Sequence, residues 1–195
     1  MDNSIVRNNI SRFDGPSLLN AIWSRHLFVL LRTALSQAEA VVKSVDISLN
    51  TEVETLKALS DCAKAHNKPH QVIIMVELGD LQEGMLPCDL WQFIRQTLSL
   101  SHLKIVGIGC NLVCYGGVKP DNSNMGQLSK LVDILEKKFQ MSLDIISGGN
   151  SANYEWYKST QDVGRINNLR LGESILLGAK PWVERRYWAY TRSSL

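Results

Sequence analysis

The chain has 195 residues, of which 45% are hydrophobic, and its 21 lysines and arginines against 19 aspartates and glutamates give a formal net charge of +2. This length can bury one sizeable core and favours a single domain. The charges are spread along the sequence, so no basic stretch predicts a nucleic-acid partner. No apolar run of about 18 residues and no signal-peptide pattern predicts a membrane segment or secretion.

Four cysteines in a chain without a secretion signal favour a reduced, cytoplasmic setting. Cys110 and Cys114 have a CxxxC spacing that could belong to a metal site or a redox pair. Neither a second cysteine pair nor a histidine pair accompanies them. We therefore interpret them as ordinary thiols and predict no metal.

Short apolar runs alternate with segments of helical period from about residue 28 onward, which is typical of βα units and a parallel sheet. The predicted strands are residues 28–32, 45–49, 70–78, 103–110, 143–147 and 169–171. The predicted helices include residues 37–42, a segment from Thr51, residues 90–94, 127–139 and 154–156. Thr51 and Glu54 have the spacing of a capping box at a helix start.

Six strands are two fewer than a (β/α)₈ TIM barrel contains, and such barrels need about 250 residues. Residues 1–27 lack the pattern of two further βα units. We therefore predict an α/β fold of the (β/α)₈ barrel type that is incomplete, with the first two strands missing or degenerate. The predicted organisation is a degenerate N-terminal segment (1–27), a barrel domain (28–180) and an aromatic and basic tail (181–195).

Glycine-bearing segments follow the last two predicted strands. Residues 147–153 have the sequence SGGNSAN, and residues 170–173 have the sequence RLGE. Loops at these places in a (β/α)₈ barrel commonly bind phosphate, because glycines let the backbone approach an anion and nearby amides and hydroxyls donate to it. Either segment alone could be a tight turn, and the two together favour a phosphate site.

Arg170 stands at the end of the last predicted strand. A guanidinium at that place in a barrel points into the mouth of the site. An ion pair at the rim with Glu77 or Glu173 explains the residue equally well. The sequence leaves both interpretations open.

Five segments in the same order support a family resemblance. They are residues 46–52 (DISLNTE), 76–85 (VELGDLQEGM), 107–117 (GIGCNLVCYGG), 147–153 (SGGNSAN) and 166–178 (INNLRLGESILLG). With them the sequence resembles the fold-type III pyridoxal 5'-phosphate (PLP) enzymes, the alanine racemase-like barrels, and in particular the ornithine racemase group. The resemblance extends over roughly residues 28 to 180.

The resemblance implies PLP as the cofactor and residues that bind its phosphate. The family's phosphate-binding Asn-Ser pair falls on Asn150 and Ser151, and the backbone amides of Gly172 and Glu173 complete the set. These four residues are the expected phosphate site.

The resemblance also places residues around the cofactor ring. The arginine that faces the pyridine nitrogen falls on Arg170, where its charge should keep that nitrogen unprotonated. Asn111 falls beside the ring. Gln82 occupies the position where relatives generally carry an arginine that holds the substrate carboxylate or the ring oxygen.

Three features depart from the family. No segment resembles the first barrel strand with its Schiff-base lysine, and Lys43, Lys104 and Lys119 stand in other contexts, so no catalytic residue is identified. Gln82 cannot supply an arginine's charge. No segment resembles the family's C-terminal β domain, which in alanine racemases supplies the second catalytic acid/base to the partner subunit.

By resemblance, we expect a PLP-dependent racemase of ornithine or another basic amino acid, with a homodimer as a possible assembly. Glu77 and Asp80 could attract a cationic side chain or could be ordinary surface carboxylates. Racemisation needs an acid/base group on each face of the α-carbon, and neither group is identified, so turnover by this chain is left open. The alternatives are a non-catalytic PLP- or phosphate-binding protein and a truncated remnant of a racemase.

Overall fold

The computed structural model describes residues 9–11, 28–29, 35–81, 83–113 and 117–171. Its strands are β1 Asn9–Ser11, β2 Phe28–Val29, β3 Ile47–Asn50, β4 His70–Val76, β5 Leu103–Cys110, β6 Ile145–Asn150 and β7 Asn168–Arg170. They form one sheet in the order β1-β7-β6-β5-β4-β3-β2. β2 to β7 are parallel, which confirms the six predicted strands, whereas β1 is antiparallel to β7 and was not predicted.

Helices alternate with these parallel strands. They are α1 Ala38–Ser44, α2 Val53–Ala65, α3 Leu90–Leu98, α4 Asn122–Phe139 and α5 Tyr154–Ser159, with 3-10 turns at Leu35–Gln37 and Ser151–Asn153. The sheet and helices make a curled α/β half-barrel, consistent with part of a (β/α)₈ barrel. The predicted fold class is confirmed.

Two helix starts differ from the predicted ones. α2 begins at Val53 with Glu52 at its N-cap and no side-chain cap, so the Thr51 capping box is wrong. The later start makes Glu54 the second helical residue, which is one position too early to complete that box. α4 begins five residues before the predicted Gln127, because the Asp121 carboxylate accepts from the amides of Ser123 and Asn124.

The largest buried cluster lies between the strands and the helices. Its members include Ile74 and Ile108 from the sheet, Ile94 from α3 and Leu128 from α4, all with no exposed surface. A smaller cluster on the other face of the sheet contains residues of β3, β4 and β5: Ile47, Leu49, Ile73, Met75 and Val106. β3, β4 and β5 are therefore buried on both faces, which is typical of a parallel sheet covered on both sides.

Several predicted features lie outside the described residues. They include most of the N-terminal segment, Cys114, residues 172–180 and the tail 181–195. The predicted domain boundaries therefore stay predictions. Within the described ranges, no helix combines the length and apolarity needed to cross a membrane.

Candidate functional site

Three of the sequence-predicted residues meet where parallel strands end. Arg170 is the last residue of β7, Asn150 is the last residue of β6, and Asn111 directly follows β5. Parallel strands bring their carboxyl ends to one edge of the sheet, which is where ligands bind in α/β folds. The side chains of these residues are connected by hydrogen bonds, so the structure assembles this part of the predicted site.

The guanidinium of Arg170 is held by neutral oxygens. One terminal nitrogen donates to the Ser147 hydroxyl at 2.7 Å. The other donates to the Cys110 carbonyl at 3.1 Å and to Oδ1 of Asn111 at 3.3 Å. The residue is 6% exposed.

The alternative of a rim ion pair is not supported for Glu77. Among the described residues, no carboxylate lies within ion-pair distance of Arg170. Glu77 instead accepts a hydrogen bond from the amide of Gly79, with 2.5 Å between the nitrogen and Oε1. The other candidate partner, Glu173, lies outside the described residues, as do Gly172 and Gln82.

Burial dominates the electrostatics of this edge. It lowers the pKa of Arg170 from its ordinary value, while Cys110 and Glu83 act in the opposite direction. The ordinary pKa of arginine lies far above neutral pH, so the side chain stays a cation. Burial also raises the pKa of the Cys110 thiol to about 12, so this cysteine is a neutral packing group at physiological pH.

Two glycines give the polar side chains the room they occupy. At Gly109, a Cβ would lie 2.9 Å from the Cβ of Ser147 and 3.4 Å from a terminal nitrogen of Arg170. Gly149 has a φ of +124°, and a Cβ there would lie 2.5 Å from Oδ1 of Asn153. A side chain at Gly109 would meet Ser147, and at Gly149 the positive φ itself favours glycine.

The side chain of Asn150 is committed to protein partners. Its Nδ2 donates to Oδ1 of Asn111 at 2.9 Å and to the Leu112 carbonyl at 3.0 Å. Its Oδ1 accepts from the amide of Ala152 at 2.8 Å. An amide nitrogen has two hydrogens, and both are used here, so Asn150 can offer a phosphate only its backbone amide.

Ser151 and Asn153 form the turn that follows β6. Ser151 begins the 3-10 turn and is 5% exposed. Asn153 is fully buried and donates to the Gly148 carbonyl at 2.5 Å. The predicted phosphate loop is thus a closed turn fixed by its own side chains.

Glu77 and Asp80, the two carboxylates considered for binding a cationic side chain, are buried, against the surface interpretation. Glu77 is 8% exposed and Asp80 has no exposed surface. Lys43, Lys104 and Lys119 are exposed, and Lys104 lies near the amino end of β5, at the opposite edge of the sheet from Arg170. The structure therefore places Lys104 away from Arg170.

Sequence reasoning did not assign a role to Ser147. Its register partner in the sheet is Gly109, and its hydroxyl accepts the shortest of the Arg170 hydrogen bonds given above. The available signal was a small polar residue before two glycines at a strand end. That signal identifies the loop but not the partner of the hydroxyl.

The fold and this site define an α/β half-barrel with a buried cation at the carboxyl ends of its strands. The family described as alanine racemase, N-terminal domain, matches residues 14–181. The chain belongs to that family.

Curated relatives are racemases of basic amino acids. The chain is 48% identical to an ornithine racemase of Acetoanaerobium sticklandii over 145 residues, which is 74% of this chain and 41% of the relative. It is 30% identical to a lysine racemase of Thermotoga maritima over 154 residues, which is 77% of this chain and 42% of the relative. The chain spans about two fifths of the length of these relatives.

Solved structures share the fold at low sequence identity. An alanine racemase of Clostridium difficile in complex with cycloserine has a TM-score of 0.61 at 17% identity, covering 74% of this chain and 39% of that one. PipY of Synechococcus elongatus with PLP bound has a TM-score of 0.62 at 17% identity, covering 76% of this chain and 68% of that one. These comparisons support the α/β barrel architecture.

Proposed function

We propose that this chain is the cofactor-binding barrel of a PLP-dependent racemase that acts on a basic amino acid, ornithine or lysine. The family membership and the names of the two curated relatives support the reaction and the substrate class. The observation that carries the cofactor assignment is Arg170, a buried cation with neutral partners at the carboxyl ends of the strands.

The residues at this edge fit the ring of PLP. A buried guanidinium without a carboxylate partner among the described residues favours an electron-rich acceptor and disfavours a second proton nearby. Arg170 would therefore keep the pyridine nitrogen unprotonated, and Ser147 and Asn111 would hold the guanidinium in place. When bound, PLP supplies an electron sink for the carbanion at the α-carbon.

The remaining predicted residues complete the proposal. The turn at Ser151 would hold the phosphate through its hydroxyl and backbone amides, together with the amides of Gly172 and Glu173. Gln82 would face the substrate carboxylate or the ring oxygen by hydrogen bonding, without the charge of an arginine. A homodimer in the cytoplasm is the proposed setting.

The position of Lys104 favours a second candidate function, PLP binding without turnover by this chain. Lys43, Lys104 and Lys119 are exposed, and Lys104 is near the far edge of the sheet. Without a lysine at the site, PLP would be held by the phosphate turn and Arg170 alone. The two candidates differ in whether a covalent link to the protein forms.

Titration of the protein with PLP tests the proposal through the absorption spectrum. We expect a saturable spectral change that Arg170→Ala weakens by about tenfold or more, because a charged hydrogen-bond donor is lost. Arg165→Ala, at an arginine whose partners Asp133 and Glu136 lie on α4, is the matched control and should bind as the unmodified chain does. Absence of a saturable change would contradict PLP binding.

Borohydride and L-ornithine distinguish the two candidates. Cofactor that stays with the protein after borohydride, together with loss of optical rotation from L-ornithine faster than PLP alone causes, supports a racemase. Saturable binding that borohydride does not trap, with no loss of rotation, supports binding without turnover.

A further inference from the structure

A chain of hydrogen bonds joins the turn after β6 to the guanidinium of Arg170. The Ala152 amide donates to Asn150, Asn150 donates to Asn111 at 2.9 Å, and Oδ1 of Asn111 also accepts from Arg170 at 3.3 Å. These hydrogen bonds therefore connect the predicted phosphate turn to the predicted ring-binding cation through two carboxamides.

The chemistry of the carboxamides fixes which group donates and which accepts in each of these hydrogen bonds. Oδ1 of Asn111 accepts from Asn150 and from Arg170, so the oxygen must face both donors. Nδ2 of Asn150 also donates to the Leu112 carbonyl at 3.0 Å, so that amide cannot turn over without losing two bonds and its contact with Ala152. Each carboxamide thus restrains the other, and the Asn111 oxygen restrains Arg170.

We propose that Asn150 is a positioning residue that couples the phosphate turn to Arg170 through Asn111, so that binding at one end of the site sets the geometry at the other. The inference rests on the proposed function for its ligand. It replaces the expectation that the Asn150 side chain itself binds the phosphate, because the donors of that side chain are already used.

The chain offers a matched control at the opposite edge of the same strands. Asn167 donates to the Asp144 carbonyl at 2.9 Å and accepts from the Ile146 amide at 2.8 Å. It is also a carboxamide that joins β6 to the segment before β7, but it lies at the amino ends of the strands. Asn167→Ala should therefore lower stability without changing ligand binding.

A double-mutant cycle with Asn150→Ala and Asn111→Ala tests the coupling. We expect each single variant to weaken PLP binding by about tenfold. We expect the double variant to bind no more weakly than the weaker single variant, because the two residues act as one connection. If the loss of affinity in the double variant equals the product of the losses in the two single variants, the proposal is overturned.

Two readouts separate coupling from local damage. Asn150→Ala should shift the absorption maximum of bound PLP in the same direction as Asn111→Ala, and Asn111→Ala should weaken binding of inorganic phosphate. A purely local role predicts an unchanged maximum for the first variant and unchanged phosphate affinity for the second.

Thermal unfolding of the protein without ligand tests the coupling independently of the proposed function. Each single variant should lower the thermal midpoint by about 2 to 6 °C, and the double variant by no more than the larger single loss. If the unmodified chain binds neither PLP nor phosphate, the proposed function fails, and this cycle still decides the coupling. Losses of the thermal midpoint that add in the double variant would overturn the coupling. If Asn150→Ala does not fold, Asn150→Asp replaces it in the cycle, because it keeps the acceptor for the Ala152 amide.

Discussion

The two faces of β5 have opposite requirements. Ile108 and Cys110 are fully buried in the apolar layer against α3 and α4. Gly107 and Gly109 lie on the other face, where β6 approaches so closely that a Cβ at either position would meet its residues. The first face stabilises the fold by filling space, whereas the two glycines of the other face leave space for β6 and for the side chains of the site. A methyl group should therefore have an effect that depends on the face that receives it.

The largest expected effect is that of Gly107→Ala. The added Cβ would overlap the carbonyl oxygen of Ile145, and backbone in a paired strand cannot move away without breaking the β5–β6 ladder. We expect a loss of about 4 kcal/mol or more in the free energy of unfolding, or no folded protein. Urea unfolding followed by circular dichroism measures it.

Gly126→Ala is the matched control for that substitution. Gly126 lies inside α4, and nothing lies within 4 Å of a Cβ built there. Alanine in a helix interior should add about 0.5 to 1 kcal/mol to stability. Equal losses from the two substitutions would show that the close approach at Gly107 does not limit packing.

His70 lies on the helix-facing side of the sheet with Val72. Its Nε2 is 2.8 Å from the Ser48 hydroxyl, and the residue is 1% exposed. Burial lowers the pKa of His70 to about 4, with Lys68 acting in the same direction and Asp46 against it. The helix-facing layer therefore holds a neutral imidazole.

Stability should then depend on pH in a defined window. A histidine whose folded-state pKa is depressed contributes fully above the unfolded value of about 6.5, and the contribution is lost as the pH falls towards 4. The loss across that window is about 3 kcal/mol. Urea unfolding at intervals from pH 7 to pH 4 measures it. His70→Gln should flatten this dependence, and a slope that is unchanged in His70→Gln would contradict the assignment.

The third prediction places the same methyl group at the site. In Gly109→Ala, the new Cβ would lie 2.9 Å from Ser147, which must move together with the arginine bound to its hydroxyl. We expect a loss of stability of about 1 to 3 kcal/mol. PLP affinity should fall by about tenfold beyond the effect of unfolding. Titration of the variant under conditions where it stays folded measures this, and unchanged affinity would show that Ser147 does not position Arg170.

The architecture was predictable because its signals are local. Apolar runs separated by helical periods gave the six parallel strands, and the order of the glycine loops placed Arg170 and Asn150 at one edge. β1 was missed because a three-residue strand carries too few residues for a period and pairs only through a distant part of the chain. The Asp121 cap of α4 was missed although its signal, aspartate three residues before asparagine, was present in the sequence.

The connections within the site were not predictable. The sequence placed Asn150 in a phosphate loop, but its donors are used by Asn111 and Leu112, which lie almost 40 positions earlier in the chain. Sequence spacing also did not decide whether Arg170 forms an ion pair at the rim or lies in the site. Its neutral partners Cys110, Asn111 and Ser147 are brought to it by strand register, which a single sequence does not reveal.

The smallest expected effect belongs to an ion pair that lies on neither face of β5. Arg165 bonds Asp133 and lies 2.7 Å from Oε2 of Glu136, joining α4 to the segment before β7. The pKa of Glu136 is lowered chiefly by the Leu143 amide and only secondarily by Arg165. The guanidinium is 39% exposed, so solvent screens the pair, and Arg165→Ala should cost about 0.5 to 1 kcal/mol. Raising the salt concentration should reduce the difference from the unmodified chain, because screening weakens exposed pairs. A loss that equals the Gly109→Ala value and does not respond to salt would mean that this connection packs the half-barrel rather than pairing charges on its surface.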